Sequence, residues 1–240
     1  MVWRHSCVRP LIEQFEHLGC GNEKSYALMQ TSYSNFEFLA SGRKNMLYAE
    51  FKLFLIRRQC LLTSYIFDTI TGYKDRVQID IPIDIGDRVL PLEVYICRIK
   101  DIKEKMKEFK HLNEYVKNSN TKHYKLNEKQ QENKNNLMIM TEHDEVANNL
   151  ISEEIGEALL RLGQTGLLHE IHITDLNLYN NYPLFLRATI EIPSDENDKK
   201  GFDNVANLII LILYLVDKVS DIRHSPTVLS KCQKSRKKLK

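Results

Sequence analysis

The spacing of apolar residues changes from strand-like to helix-like and back most clearly between Arg43 and Ile83. Tyr48–Ile56 is an apolar run from which charged residues alternate outward, which is typical of a half-buried strand. Gln59–Ile70 changes to helical spacing, and Arg76–Ile83 returns to strict alternation. The sequence therefore predicts a strand, a helix and a second strand here, on which the later elements pack.

Four further short apolar segments are predicted to be β-strands. In the last of them, alternate residues from Leu184 to Ile192 are apolar, as in a strand with one buried face. Pro82 has no N–H group to donate, and this predicts that the Arg76–Ile83 strand lies at or near a sheet edge. The four segments are Leu92–Ile96, Leu137–Met140, Leu168–Asp175 and Pro183–Ile192.

Helical spacing is most extensive in two places. Apolar residues recur at three- and four-residue steps over 99–117, which predicts a long amphipathic helix. Residues 205–221 are apolar nearly all round between Leu208 and Val216. Such a helix, with Asp203 as its N-cap, should lie in the middle of the fold.

Shorter helices are predicted from local signals. Ser34 and Glu37 fit a capping box before a helix at Asn35–Ala40. Thr141 and Asp144 are placed to cap another helix. Apolar spacing predicts the remaining two, at Val8–His17 and Ser152–Leu162.

These elements predict an α+β fold, a mixed or mostly antiparallel sheet with helices covering one side and a central apolar helix near 203–221. Residues 1–225 are expected to form one domain, interrupted by a polar, flexible loop at 118–136. Residues 226–240, here called the basic tail, lose the apolar pattern.

Charge changes this picture only at the C-terminus. The chain has 240 residues and a net charge of +2, and without six basic residues in its last ten positions the net charge is negative. Such a tail can bind an anionic surface, RNA or acidic lipid, by counterion release, or can remain simply solvated. The six residues are Lys231, Lys234, Arg236, Lys237, Lys238 and Lys240.

A smaller basic cluster, Arg43, Arg57 and Arg58, flanks the Tyr48–Ile56 strand. Arginine suits bidentate contact with phosphate, but a surface strand end is the commoner explanation for such a cluster.

Catalytic and metal-binding patterns are weak. The five cysteines form no CxxC pair, which argues against a zinc cluster and a disulfide framework. His169 and His172 are three residues apart on a predicted strand, so they should face opposite sides and not form a metalloprotease motif. We therefore predict a non-enzyme without catalytic residues, metal ligands or a small-molecule substrate.

Membrane signals are also weak. The longest apolar run, Leu208–Val216, has nine residues, about half of the ~20 that a transmembrane helix needs. The N-terminus lacks the apolar core of a signal peptide.

Short motifs spread along the chain carry a family resemblance through their order and spacing. They are Trp3, Leu11-Ile12-Glu13, Phe15, Leu18-Gly19, Ser41-Gly42-Arg43, Arg58-Gln59, Leu61-Leu62, Val77-Gln78-Ile79, Leu137, Ile139, Glu142, Glu145-Val146, His172-Ile173-Thr174-Asp175 and Asp217-Lys218.

With these motifs, from about Trp3 to about Arg236, the chain resembles the cytosolic domain of the calumin family, also called coiled-coil domain-containing protein 47, a PAT complex subunit. The resemblance implies a non-catalytic protein at the cytosolic face of the endoplasmic reticulum membrane. It also implies the ribosome, the Sec translocation channel and a small membrane protein, Asterix, as partners. The family assists insertion and folding of multi-spanning membrane proteins and affects calcium homeostasis of the endoplasmic reticulum.

The family's calcium-binding luminal region and transmembrane helix have no counterpart in the chain, and its charged C-terminal helix is shortened. No cofactor is therefore expected here. The alternative to the family role is an RNA- or anionic-lipid-binding α+β module unconnected with translocation.

Overall fold

The computed structural model describes residues 7–19, 28–56, 74–86, 88, 90–112, 137–179, 181–193, 195 and 198–239. The predicted helix at 59–70, the predicted loop at 118–136 and the end of the predicted helix 99–117 lie outside these residues.

The described strands form an open antiparallel sheet in the order β1-β3-β4-β5-β9-β8-β6-β7, and β2 also pairs with β3. This confirms the predicted α+β fold class, and all the pairings are antiparallel. The strands are β1 (His17–Leu18), β2 (Met29–Gln30), β3 (Asn35–Ser41), β4 (Ala49–Phe54), β5 (Arg76–Pro82), β6 (Glu93–Arg98), β7 (Leu137–Thr141), β8 (Leu168–Thr174) and β9 (Phe185–Glu191).

Strand β5 lies inside the sheet, between β4 and β9, so the predicted edge position is wrong. Pro82 is the last residue of the strand, opposite Phe185 at the beginning of β9. A proline at a strand end interrupts the ladder far less than one in the middle, which explains the interior position.

The predicted helix at Asn35–Ala40 is also wrong, because these residues form β3. Phe38 and Ala40 alternate into the core and are almost fully buried. Six residues of β3 pair with β4. Burial and strand pairing thus outweigh the local capping signal.

The helices are α1 (Arg9–Ile12), α2 (Ile102–Glu108), α3 (Asp144–Leu150), α4 (Glu153–Gly163), α5 (Lys199–Asp221) and α6 (Pro226–Leu239). Helix α1 is shorter than the predicted Val8–His17 helix. A 3₁₀ turn, Ile99–Asp101, precedes α2, and α2 ends at Glu108, with Phe109 as its C-cap. No side-chain bond caps α3; Thr141 instead donates to the carbonyl of His143, the N-cap residue.

Helix α5 lies at the centre of the fold, as its composition predicts. It packs against α1, α3, α4 and β9. Its N-cap is Asp198, whose Oδ1 accepts a hydrogen bond of 2.8 Å from the backbone N–H of Gly201. Asp203, the predicted cap, is inside the helix, which begins four residues earlier.

The other face of the sheet, here called the polar face, is covered in part by α2 and the residues after it. Phe109 and Leu112 pack there with Tyr95 and Met140. Helices therefore contact both faces, whereas one covered face was expected.

Most of the basic tail is ordered as helix α6. Val228 and Cys232, four residues apart, are buried in the main core. The helix begins at Ser225-Pro226, where proline occupies the first turn and its missing N–H costs nothing. Within the described part of the chain, no helix has the length and hydropathy of a membrane span.

Candidate functional site

The basic residues of α6 differ in what surrounds them. Lys231 forms an ion pair of 3.2 Å with Glu145, and both side chains are more than half exposed. Lys234 is exposed and makes no ion pair with any described residue. Lys237 and Lys238 follow on the same helix, and Lys240 lies outside the described residues.

Arg236 faces the body of the protein instead. Its guanidinium donates to Asp175 at 2.6 and 2.8 Å and to Glu142 at 2.9 to 3.2 Å. These carboxylates raise the pKa of Arg236 in spite of its burial. Because the guanidinium is already paired with two carboxylates, Arg236 is suited to fastening α6 to the ends of β7 and β8.

Arg43 is also engaged within the protein. It donates to Gln14 and forms an ion pair of 2.6 Å with Asp217 of α5, and its side chain is only 14% exposed. Arg57 and Arg58, predicted to act with it, lie outside the described residues.

Ion pairs bridge the central strands on the polar face of the sheet. Asp80 of β5, 1% exposed, accepts two hydrogen bonds from Arg187 of β9, at 2.7 and 2.9 Å. Lys52 of β4 lies 3.3 Å from the same carboxylate. The guanidinium of Arg187 also stacks 3.9 Å from the ring centroid of Tyr179.

A polar cavity of about 280 Å³ lies at one end of this face. Arg98 and His169 both contact Glu191, at 2.8 and 2.5 Å. Burial opposes ionisation of Glu191, but hydrogen bonds from His169, Arg98 and Lys74 lower its pKa. Burial in turn lowers the pKa of His169. The cavity is thus lined by charges that already balance one another.

The expected opposite orientation of His169 and His172 is not observed. A register shift in β8 pairs Leu168 with Ile190 and Glu170 with Thr189, leaving His169 as the extra residue. His169 therefore faces the same side as Glu170, and so does His172. The two imidazoles still belong to separate clusters, so no metalloprotease motif results.

His172 and Glu93 form a fully buried pair, with 2.8 Å between His172 Nε2 and Glu93 Oε1. His111 lies 3.1 Å from the same oxygen, and the hydroxyl of Tyr179 lies 2.5 Å from His172 Nδ1. Burial opposes ionisation of Glu93, yet hydrogen bonds from His111 and His172 lower its pKa to about 2. The carboxylate therefore stays charged and is suited to holding the strands together.

Two features of the C-terminus were missed from the sequence. One is α6 itself, although Ser225-Pro226 is a helix-start signal and Val228 and Cys232 have helical spacing. The other is the contact of Arg236 with Glu142 and Asp175, which are 94 and 61 residues away along the chain. No local pattern could reveal that contact.

Comparison with known proteins gives one family over essentially the whole chain. The sequence profile described as "PAT complex subunit CCDC47" matches residues 2–240. A comparison with curated proteins found no match. Since the profile match spans the N-terminal strands, the central helix α5 and the basic helix α6, the chain belongs to the family of PAT complex subunit CCDC47.

Proposed function

We propose that this chain is a non-catalytic binding domain of the PAT complex, at the cytosolic face of the endoplasmic reticulum. There it contacts the ribosome, the Sec translocation channel and Asterix, and assists insertion and folding of multi-spanning membrane proteins. The family match over residues 2–240 carries this proposal. The family's effect on calcium homeostasis is taken to follow from membership of the complex.

The chemistry of the polar face supports a binding domain over an enzyme. Its buried carboxylates, Asp80, Glu93 and Glu191, are each held by arginine, lysine or histidine. Such pairing keeps charges fixed and stabilises strand order, because an unpaired buried charge costs several kcal/mol.

The contact with the ribosome is assigned to the basic C-terminal end of the chain, which begins in α6. Arg236 fastens the helix to the body of the protein through Glu142 and Asp175. Lys234 is exposed, and Lys237, Lys238 and Lys240 are the remaining basic residues of this segment. Four lysines in this C-terminal segment of the sequence are suited to binding the RNA phosphate backbone without reading sequence. Arg43 is a weaker candidate because Asp217 already neutralises it.

Co-sedimentation of the full chain with ribosomes tests this assignment. If four lysines contact phosphate, affinity should fall about 100-fold between about 50 and 200 mM salt. A variant with Lys234, Lys237, Lys238 and Lys240 changed to Gln should bind weakly at both salt concentrations. Deleting the tail would be a poorer test, since it removes Val228 and Cys232 from the core.

The matched control changes four other exposed lysines to Gln, Lys103 and Lys107 of α2 and Lys199 and Lys200 at the start of α5. This variant should bind like the original chain. Equal binding by the four-lysine variant and the original chain, or no binding by either, would contradict the role given to α6. Binding to anionic liposomes but not to ribosomes would favour the alternative, a lipid-binding module.

A further inference from the structure

Three potential metal ligands from distant parts of the sequence meet where α6 docks. They are Glu142 and His143, between β7 and α3, and Cys232 of α6. One ligand atom from each, a carboxylate oxygen, an imidazole nitrogen and the Sγ atom, all lie within 4.8 Å of one another. In the described part of the chain, this is the only group of at least three His, Cys, Asp or Glu with such geometry.

His143 provides an independent indication of a ligand. Its Nε2 atom is buried, and no hydrogen-bond partner lies within reach among the described residues. Buried polar atoms normally have a partner, so an unsatisfied imidazole nitrogen needs an explanation. The carbonyl of His143 accepts bonds from Thr141, Val146 and Ala147, which hold the residue in place.

The local charge also suits a cation. Glu142 and Asp175 bring two negative charges, and Arg236 brings one positive charge. Since metals bind cysteine as the thiolate, a divalent cation at this position balances the thiolate and the two carboxylates together with Arg236.

We propose that Glu142, His143 and Cys232 form a zinc site that fastens helix α6 to the end of β7. Thiolate and imidazole ligands favour zinc over calcium or magnesium, which prefer oxygen ligands only. With bonds of about 2.0–2.3 Å, tetrahedral zinc separates its donor atoms by about 3.3–3.8 Å. The donor atoms, at most 4.8 Å apart, therefore need to approach by about 1.5 Å at most, and water or a partner's side chain can fill the fourth position.

The consequence is independent of the proposed ribosome contact. Zinc would add a second link between α6 and the body of the protein, beside the ion pairs of Arg236. Since binding to the folded state alone stabilises that state, zinc should protect α6 against local opening.

The test is titration of the purified full chain with cobalt(II), a spectroscopic substitute for zinc. One equivalent should produce a thiolate-to-cobalt charge-transfer band in the near ultraviolet and visible bands of tetrahedral cobalt. Zinc added afterwards should abolish both. Absence of the charge-transfer band in the original chain would overturn the proposal.

Two variants locate the site. C232S should lose the charge-transfer band, and H143Q should weaken binding of zinc by at least about 10–100-fold, measured by chelator competition. The matched control is C97S, which changes a buried cysteine on the polar face of the sheet. A band that survives C232S and disappears in C97S would assign the metal elsewhere.

Hydrogen exchange gives a readout that does not depend on spectroscopy. Zinc should slow exchange of α6 amides in the original chain and in C97S, but not in H143Q. His143 is only partly buried, so H143Q is expected to fold. It therefore keeps the test decisive even if C232S fails to fold. Equal protection by zinc in H143Q and the original chain would contradict the proposed ligand set.

Discussion

Several charged residues on the polar face are buried and paired with residues from other elements. Glu93 is fully buried and faces two histidines, His111 and His172. Its sequence context, a single Glu before an apolar strand, predicts nothing of this environment. His111 lies in the turn after α2 and His172 lies in β8, so the pKa of Glu93 is set by the tertiary structure.

The lowered pKa of Glu93 predicts a pH dependence of stability. The unfolded chain takes up the proton near pH 4.5, whereas the folded chain takes it up only near pH 2. The contribution of Glu93 is therefore fully present above about pH 4.5 and is lost as pH falls toward 2, by about 3 kcal/mol in all. Urea unfolding of the original chain and of Glu93→Gln from pH 7 to 2 measures it.

Glu50→Gln is the control, because the Glu50–Lys52 pair is partly exposed and such pairs contribute about 0–1 kcal/mol. The difference in unfolding free energy between the original chain and Glu93→Gln should shrink below pH 4.5. A difference that stays constant with pH would contradict the assigned charge state of Glu93.

Among the elements, those with a strong apolar period are predicted well. Strands β4, β5, β7, β8 and β9 and helices α4 and α5 lie within a few residues of their predicted positions. The sequence-based predictions fail where a local signal competes with strand pairing, as in β3, or where an element is mostly polar, as in α6. In both cases a distant partner, β4 or the ends of β7 and β8, decides the outcome.

Helix α4 contains two glycines with opposite expected responses to alanine. A Cβ atom at Gly156 would lie 3.8 Å from Ile151, an ordinary contact, whereas at Gly163 it would lie 2.7 Å from Leu137 of β7. Gly156→Ala should therefore raise the unfolding free energy by about 0.5–1 kcal/mol through helix propensity. Gly163→Ala should lower it by about 1–3 kcal/mol through overpacking.

Denaturant unfolding of both variants measures the two shifts. Because the substitutions lie on the same helix, each serves as the control for the other. Stabilisation by Gly163→Ala would show that Leu137 moves aside without cost and that the contact of α4 with β7 is loose.

For the whole molecule, one core connects the two ends of the described chain. It includes Cys7 before α1 and Cys232 in α6, and α5 packs against three other helices and β9. The central strands β4, β5, β9, β8 and β6 form a continuous ladder beneath it. This arrangement supports the proposal that residues 1–225 form one domain, to which α6 is attached.

A single core predicts one cooperative unfolding transition. Far-ultraviolet circular dichroism, which follows helices and strands, and near-ultraviolet circular dichroism, which follows buried tyrosines such as Tyr95, should give the same urea midpoint. Two separated midpoints would mean that the β1–β4 side and the β6–β8 side unfold independently, and would contradict a single domain.

The amino-acid sequence by itself determined the α+β class, the central position of α5 and the family. The periodicity of apolar residues and the order of short motifs are local properties, which can be recognised in the sequence without a structure. Only the tertiary structure decided that β5 is an interior strand, that His169 and His172 share a face, and that Arg236 is neutralised by Glu142 and Asp175. Each of these depends on strand register or on contacts between residues far apart in the chain, which no local pattern encodes.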